Sequence, residues 1–205
     1  MNKKYYKFTN KDECHHGFQY KDGLNEDHLP FNETDSCCPG GLYFSDAENI
    51  LQFIKNRSHW IREVTPDTEK MVRDPDNDPI KWRSKSLDCQ PRKSLSDIDT
   101  WKWMMDQGIL NNQKSIDNAL QWSSHNGHLE VVKFLVEKFD NFSQQAIDYA
   151  LKWSSNNGHL EVGKYLVEKF PNFSQSTKYL ALKYSSKYGN LEVYEYVKQK
   201  FPEEC

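Results

Sequence analysis

The sequence predicts an α+β N-terminal module followed by an all-α helical solenoid. Two observations carry that assignment. A 31-residue segment is written three times in the second half, as IDNALQWSSHNGHLEVVKFLVEKF, IDYALKWSSNNGHLEVGKYLVEKF and KYLALKYSSKYGNLEVYEYVKQKF. The first 92 or so residues carry no trace of it; they hold short apolar runs between prolines and glycines, the pattern of strands and turns. A fixed period of this size means stacked supersecondary units, none of which buries its apolar face alone. Such stacks serve as binding surfaces.

Taken in order, residues 1–92 form the α+β module. Strands are expected at Tyr5-Tyr6-Lys7-Phe8, Gly41-Leu42-Tyr43-Phe44, Trp60-Ile61-Arg62-Glu63-Val64 and Glu69 to Arg73. A helix is expected between them, because Ser45 and Glu48 make an S-x-x-E capping box. Ala47, Ile50, Leu51 and Ile54 then follow at helical spacing. Asp74 to Pro79 is a loop by its two prolines and its Asp and Asn. Arg83 to Ser94, mixed in charge and containing Pro91, is the expected linker.

Residues 93–112 hold the end of that linker and a degenerate half-repeat. A step of 31 residues back from Leu129 lands on Ile98, and from Lys133 on Lys102. Ile98 to Met105 therefore aligns with the second helix of a leading repeat. In the three full copies over 113–205, each unit splits at a glycine. Before it, Ile116, Ala119, Leu120 and Ser123 stripe one helix, with Ser143 and Ser174 as caps in the later copies. After it, Leu129, Val132, Leu135 and Val136 stripe a second helix. Gly127, Gly158 and Gly189 sit where the chain must reverse.

At GHLEVVKFLVEK (Gly127 to Lys138) the chain resembles the ankyrin repeat, whose units carry a G-H-x-E-V-V-K-x-L-L signature. The likeness covers roughly residues 96–201 and is strong in the second helix, weak in the first. The family's T-P-L-H opening stands here as Asn118-Ala119-Leu120-Gln121, its A-A pair as Ser123-Ser124, and its G-A-[DN] turn as Phe139-Asp140-Asn141-Phe142. A blunted loop is expected in place of the family's β-finger. The W-S-S-x-N-G-H-L-E-V variant, joined to His15 through Tyr20, Gly23-Leu24-Asn25 and Cys37 to Phe44, is similar to ankyrin-repeat proteins of giant viruses. That resemblance implies a viral protein acting inside a host cell, with the host cytoplasm as its location.

Function is expected to be non-catalytic protein binding. The resemblance places the paired positions His125-Asn126, Asn156-Asn157 and Lys187-Tyr188 on the concave groove that docks partners, and these six residues are the candidate site. They change from copy to copy while their neighbours hold still. Trp122, Trp153 and Tyr184 share one register and are expected in the core, and the resemblance gives His128 and His159 a hydrogen bond between neighbouring repeats. An alternative reading makes the N-terminal module similar to ADP-ribosyltransferases of the poly(ADP-ribose) polymerase type, on His16-Gly17, Gly23-Leu24 and Gly40 to Asp46. In it His16 would bond the ribose of NAD and Tyr43 would stack on nicotinamide, but no carboxylate stands at that family's later position, Glu63 and Glu69 coming too early. A structural scaffold, or the remnant of a longer array, is a third.

Composition bounds the rest. Formal net charge is −3, with 27 basic and 30 acidic residues interspersed, which excludes the basic field of a duplex nucleic-acid binder. There is no run of apolar residues long enough to span a membrane. Five cysteines at irregular positions (Cys14, Cys37, Cys38, Cys89, Cys205) fit a reducing, intracellular setting better than a disulfide framework. Adjacent Cys37-Cys38 and the spacing of Cys14, His16, His59 and Cys89 match no zinc pattern. No metal, no cofactor and a monomeric protein are expected.

Overall fold

The computed structural model describes residues 3–15, 17–34, 39–74 and 79–202, arranged as two compact units, 1–115 and 116–205. In the first unit the chain forms β1 (Tyr5–Thr9), β2 (Cys14–His15), β3 (Phe18–Gln19), β4 (Gly23–Glu26), β5 (Leu42–Asp46), β6 (Trp60–Pro66), β7 (Met71–Arg73), β8 (Trp82–Ser84), β9 (Ser86–Cys89) and β10 (Lys93–Ser94). The main sheet runs β4-β9-β6-β1-β5-β8-β7, with β10 also paired to β6; β2 and β3 make a separate ribbon. Its pairings are antiparallel, with Tyr6 opposite Glu63 on one side and Ser45 on the other. Apolar residues gather on one face: Tyr20, Leu42, Phe44, Val64, Leu87 and Cys89 are buried together, backed by Tyr5, Phe18, Met71 and Trp82.

The expected strands at Tyr5, Leu42, Trp60 and Met71 are present. The expected helix after Ser45 is not. Ser45 is still in β5, paired with Tyr6, and its hydroxyl donates to the Ile80 carbonyl at 2.7 Å instead of capping a turn. Asp46 closes the turn that precedes it, its Oδ1 accepting from the Asn49 amide at 3.1 Å, and one 3-10 turn (Ile50–Phe53) without a side-chain cap is all that follows. That turn suffices to bury Ile50 and Leu51. Nor is Arg83 to Ser94 a linker; it supplies most of β8, all of β9 and β10. The charge that suggested a linker is buried there: Arg83 on β8 is fully inside the unit, and along β9 Leu87 and Cys89 alternate inward with Asp88 outward. The central part of the Asp74–Pro79 loop lies outside the described residues.

A buried ion network ties the 10–22 segment to the sheet. Arg62 on β6 is 1% exposed; its Nε and Nη2 donate to Glu13 Oε1 at 2.8 and 2.6 Å, and its Nη1 to Asp22 Oδ1 and the Gln90 carbonyl. Arg92 Nη1 donates to the second Glu13 oxygen at 2.9 Å. A charge this deep is tolerated because its donors are matched by acceptors. The first helix, α1 (Ile98–Asp106), packs into the same unit: Trp101 Nε1 donates to Leu95 O at 2.7 Å, and Trp103 meets Tyr6 edge-on.

The second unit is helix, turn, helix, three times over: α2 (Gln113–His125) and α3 (Leu129–Lys138), α4 (Gln144–Asn156) and α5 (Leu160–Lys169), α6 (Gln175–Lys187) and α7 (Leu191–Lys200). Ser143 and Ser174 cap α4 and α6, accepting from the Ala146 and Thr177 amides at 3.2 Å. Leu120, Val132, Ala150, Leu151, Val162, Leu166, Ala181, Leu182, Val193 and Val197 form one continuous core through the copies. The serine pair is structural: Ser123, Ser154 and Ser185 are fully buried, each hydroxyl returned to a carbonyl of its own helix. Residues 139–143 and 170–174 contain no strand, so the blunted loop is found. Asp117 and Asp148 hold these loops by accepting from the Ser143 and Ser174 amides of the next copy.

Candidate functional site

Each turn between paired helices is built on a glycine. Gly127, Gly158 and Gly189 have φ of +75, +77 and +74°, a conformation glycine reaches without a Cβ penalty. At Gly127 the absence of a side chain has a second use, since a Cβ there would stand 2.5 Å from His159 Nδ1. His159 lies against this backbone so that its Nε2 bonds the His125 carbonyl at 3.0 Å. In the third copy Asn190 does the same work, donating to the Ser155 and Asn156 carbonyls at 3.3 and 2.8 Å. The bond expected between repeats at the G-H position is therefore present at His159. Burial lowers the pKa of both His125 and His159, helped at His125 by the neighbouring His159 and opposed at His159 by its bond to the His125 carbonyl. A pKa lowered in this way favours the neutral imidazole near pH 7.

The six candidate residues occupy the C-terminal ends of the first helices, and they do not all face solvent. Asn126 Nδ2 donates to its own helix at Trp122 O, 2.9 Å. Asn157 Nδ2 reaches the previous copy, donating to His125 O at 2.8 Å and approaching His125 Nδ1 at 3.2 Å. Asn156 Nδ2 donates to Asn157 Oδ1 at 3.1 Å. These four side chains thus stitch copies and turns together. Asn157 is nonetheless exposed, as are Lys187 and Tyr188, with the Lys187 ammonium 5.3 Å from the Tyr188 ring.

The shared aromatic register divides. Trp122 is buried as expected, against His128 at 5.1 Å, but Trp153 and Tyr184 are only half-buried and lie outside the core, which corrects that expectation. Trp153 lies between His125 (5.3 Å) and Tyr149 (6.0 Å), and Tyr184 beside Tyr188 (6.3 Å). The Lys152 ammonium is 5.3, 5.2 and 5.8 Å from the rings of Tyr149, Trp153 and Tyr184. Tyr149 and Tyr188 are 40% and 57% exposed. The result is a strip of aromatic and cationic side chains along one face of α4 and α6. Sequence reasoning missed Tyr149, whose counterparts in the other copies are Asn118 and Leu180, and Lys152, whose counterparts are Gln121 and Lys183. Helical spacing of i−4 from Trp153 places Tyr149 on its face.

Among known families, the ankyrin repeats (3 copies) match residues 94–169. The chain is also 38% identical over 141 residues to an ankyrin repeat protein of Acanthamoeba polyphaga mimivirus, a match covering 66% of this chain and 67% of that one. This chain belongs to the ankyrin-repeat family. A further ankyrin repeat protein of the same virus is 34% identical over 131 residues, where the chain spans 42% of its length. An uncharacterized protein of that virus is 36% identical over 140 residues, covering 95% of its length. Each matched stretch is longer than three copies of 31 residues, so the likeness between this ankyrin protein and its relatives includes part of the strand-rich unit. By sequence, α1 falls inside the ankyrin match; by packing, it belongs to the strand-rich unit. No helix among the described residues is long and apolar enough to cross a membrane.

The strand-rich unit has a cleft of about 720 Å³, whose wall includes Tyr43, Lys7 and Lys81. His16 lies outside the described residues. Tyr43 does not offer the open ring face that nicotinamide stacking needs: the Lys81 ammonium sits 4.7 Å above the ring, and Arg83 Nη1 donates to its hydroxyl at 3.2 Å. Glu63 is directed to Lys4, at 3.5 Å, and neither it nor Glu69 lines the cleft. Among the described residues, Glu63 and Glu69 therefore do not join Tyr43 at the cleft.

Proposed function

We propose that the chain is a non-catalytic protein-binding module that engages a host or viral partner through the face of its first helices. The observation that carries this reading is the strip formed by Tyr149, Trp153, Tyr184 and Tyr188 with Lys152 and Lys187. Aromatic side chains left half-exposed beside cations offer large contact area at little entropic cost, which is why such residues dominate binding energetics. A solvated, idle surface would more commonly carry Glu, Lys and Ser without interleaved rings. The fit is to a partner segment that brings apolar groups for the rings and carboxylates for the lysines. Within the candidate set, Lys187 and Tyr188 are contact residues, whereas His125, Asn126, Asn156 and Asn157 shape the surface through hydrogen bonds to the turns and to the neighbouring copy. The test is quantitative binding to a captured partner, comparing the parent chain with a Tyr149→Ala, Lys152→Ala, Lys187→Ala, Tyr188→Ala variant. These exposed or half-exposed positions leave the core untouched, so a folded variant that binds as tightly as the parent would refute the assignment.

A further inference from the structure

The cleft of the strand-rich unit plays no part in that reading, yet its wall is unusual. Lys7 on β1 is 3% exposed, and its ammonium has neutral partners: it donates to the Tyr43 carbonyl at 2.7 Å and lies 4.4 Å from the Tyr20 ring. Burial lowers its pKa to about 8. A buried cation with no fixed counter-charge is costly, and the usual structural remedy is a nearby carboxylate. The carboxylate in this wall is Asp27, and it is committed elsewhere. Its Oδ2 accepts from the Gly41 amide at 2.7 Å and its Oδ1 from the Leu29 amide at 3.0 Å. Lys55 also lines the cleft, Lys81 there is paired with Asp74 at 3.4 Å, and Phe18, Tyr20 and Phe44 supply apolar wall. Its volume of about 720 Å³ falls in the range of small-molecule sites, roughly 300–1,000 Å³.

We propose that this cleft binds a small planar molecule bearing one anionic group, a phosphate or a carboxylate, with Lys7 recognising the anion. The aromatic walls sandwich the planar part. The anion accepts from the Lys7 ammonium, whose bond to the Tyr43 carbonyl uses one of its three protons and fixes its direction. Binding then supplies an anion in contact with Lys7, which among the described residues has no ion-pair partner, and an ion pair formed away from water is stronger than one at the surface.

The test uses the full chain and two matched pairs of probes: adenosine 5′-monophosphate against adenosine, and 2-naphthoate against 2-naphthamide. Calorimetric titration at pH 7 is expected to give saturable binding of at least one anionic member. Its neutral partner is expected to bind about tenfold more weakly, the scale of one charge-assisted hydrogen bond. Which pair responds tells a phosphate from a carboxylate ligand. Lys7→Met is expected to remove that tenfold preference and leave the neutral probe unaffected. Protection gives a second reading without a variant: the bound anion should slow acetylation of Lys7 by acetic anhydride, with exposed Lys102 as the internal control. Absence of saturable binding by both anions, equal affinity for charged and neutral probes, or an unchanged preference in Lys7→Met would each overturn the proposal.

Discussion

Gly127→Ala isolates the reason each repeat turns on glycine. Two costs are combined at this position. An alanine forced to φ near +75° is strained by about 1–2 kcal/mol. Its Cβ would also stand 2.5–2.8 Å from three ring atoms of His159, closer than real contacts allow. The ring must move, and its bond to the His125 carbonyl is lost at a cost of about 1 kcal/mol. The expected total is about 2–3 kcal/mol. At Gly189 the φ is the same but nothing lies within 4 Å of the added atom, so Gly189→Ala should cost only the strain. Urea denaturation followed by circular dichroism measures both variants. The decisive comparison is a double-mutant cycle. In a His159→Ala background, the Gly127→Ala penalty should shrink toward that of Gly189→Ala, because the obstructing ring is gone. A penalty that is unchanged in that background would show that backbone strain alone explains the glycine.

Other expectations follow from the same geometry. Because burial lowers the folded pKa values of His125 and His159 below the usual 6.5, the unfolded chain takes up protons first on acidification. Stability is therefore full above about pH 6.5 and falls as pH drops toward the folded values. His159→Asn, which copies Asn190, should keep the fold and flatten that dependence in thermal melts between pH 5 and 7.5. Lys7 works at the other end of the scale: with a folded pKa of about 8 against about 10.4 unfolded, it makes stability rise with pH across that window. Cys89, raised to about 11 by burial, opposes it, so the readout is the parent minus Lys7→Met difference, which should change between pH 8 and 10. Trp122→Ala should cost about 3–5 kcal/mol as a buried cavity, and Trp153→Ala less than half of that; equal penalties would return Trp153 to the core.

The repeat architecture was legible because its signals are redundant. Gly127, Gly158 and Gly189 fix the turns, Ser143 and Ser174 fix two helix starts, and the Leu and Val stripes recur in register three times. The strand-rich unit gives no such redundancy. There the buried residues include Lys7, Arg62 and Arg83, types whose charge argues for the surface, so β8 and β9 looked like a linker. Ser45 looked like a cap because local chemistry cannot show that its hydroxyl is taken by Ile80, 35 residues away. The candidate residues were chosen by their variation between copies, and the structure gives part of that variation a structural source. That variation picked out the ends of the first helices, where Asn157 bonds His125 across a repeat boundary, a contact no single copy reveals. Trp153 fell outside the core for a reason no single copy reveals: Trp122, Trp153 and Tyr184 share a register, and only the first is covered.

The central claim is that the face of α4 and α6 reads a protein partner. It is tested most directly by capturing tagged chain from Acanthamoeba lysate, identifying a retained protein, and measuring its affinity by titration for the parent and the four-residue face variant. The account predicts saturable binding to the parent and a loss of at least about tenfold, roughly 1.4 kcal/mol, in a variant that melts like the parent. Equal affinity for both would contradict it and move recognition off the repeat face.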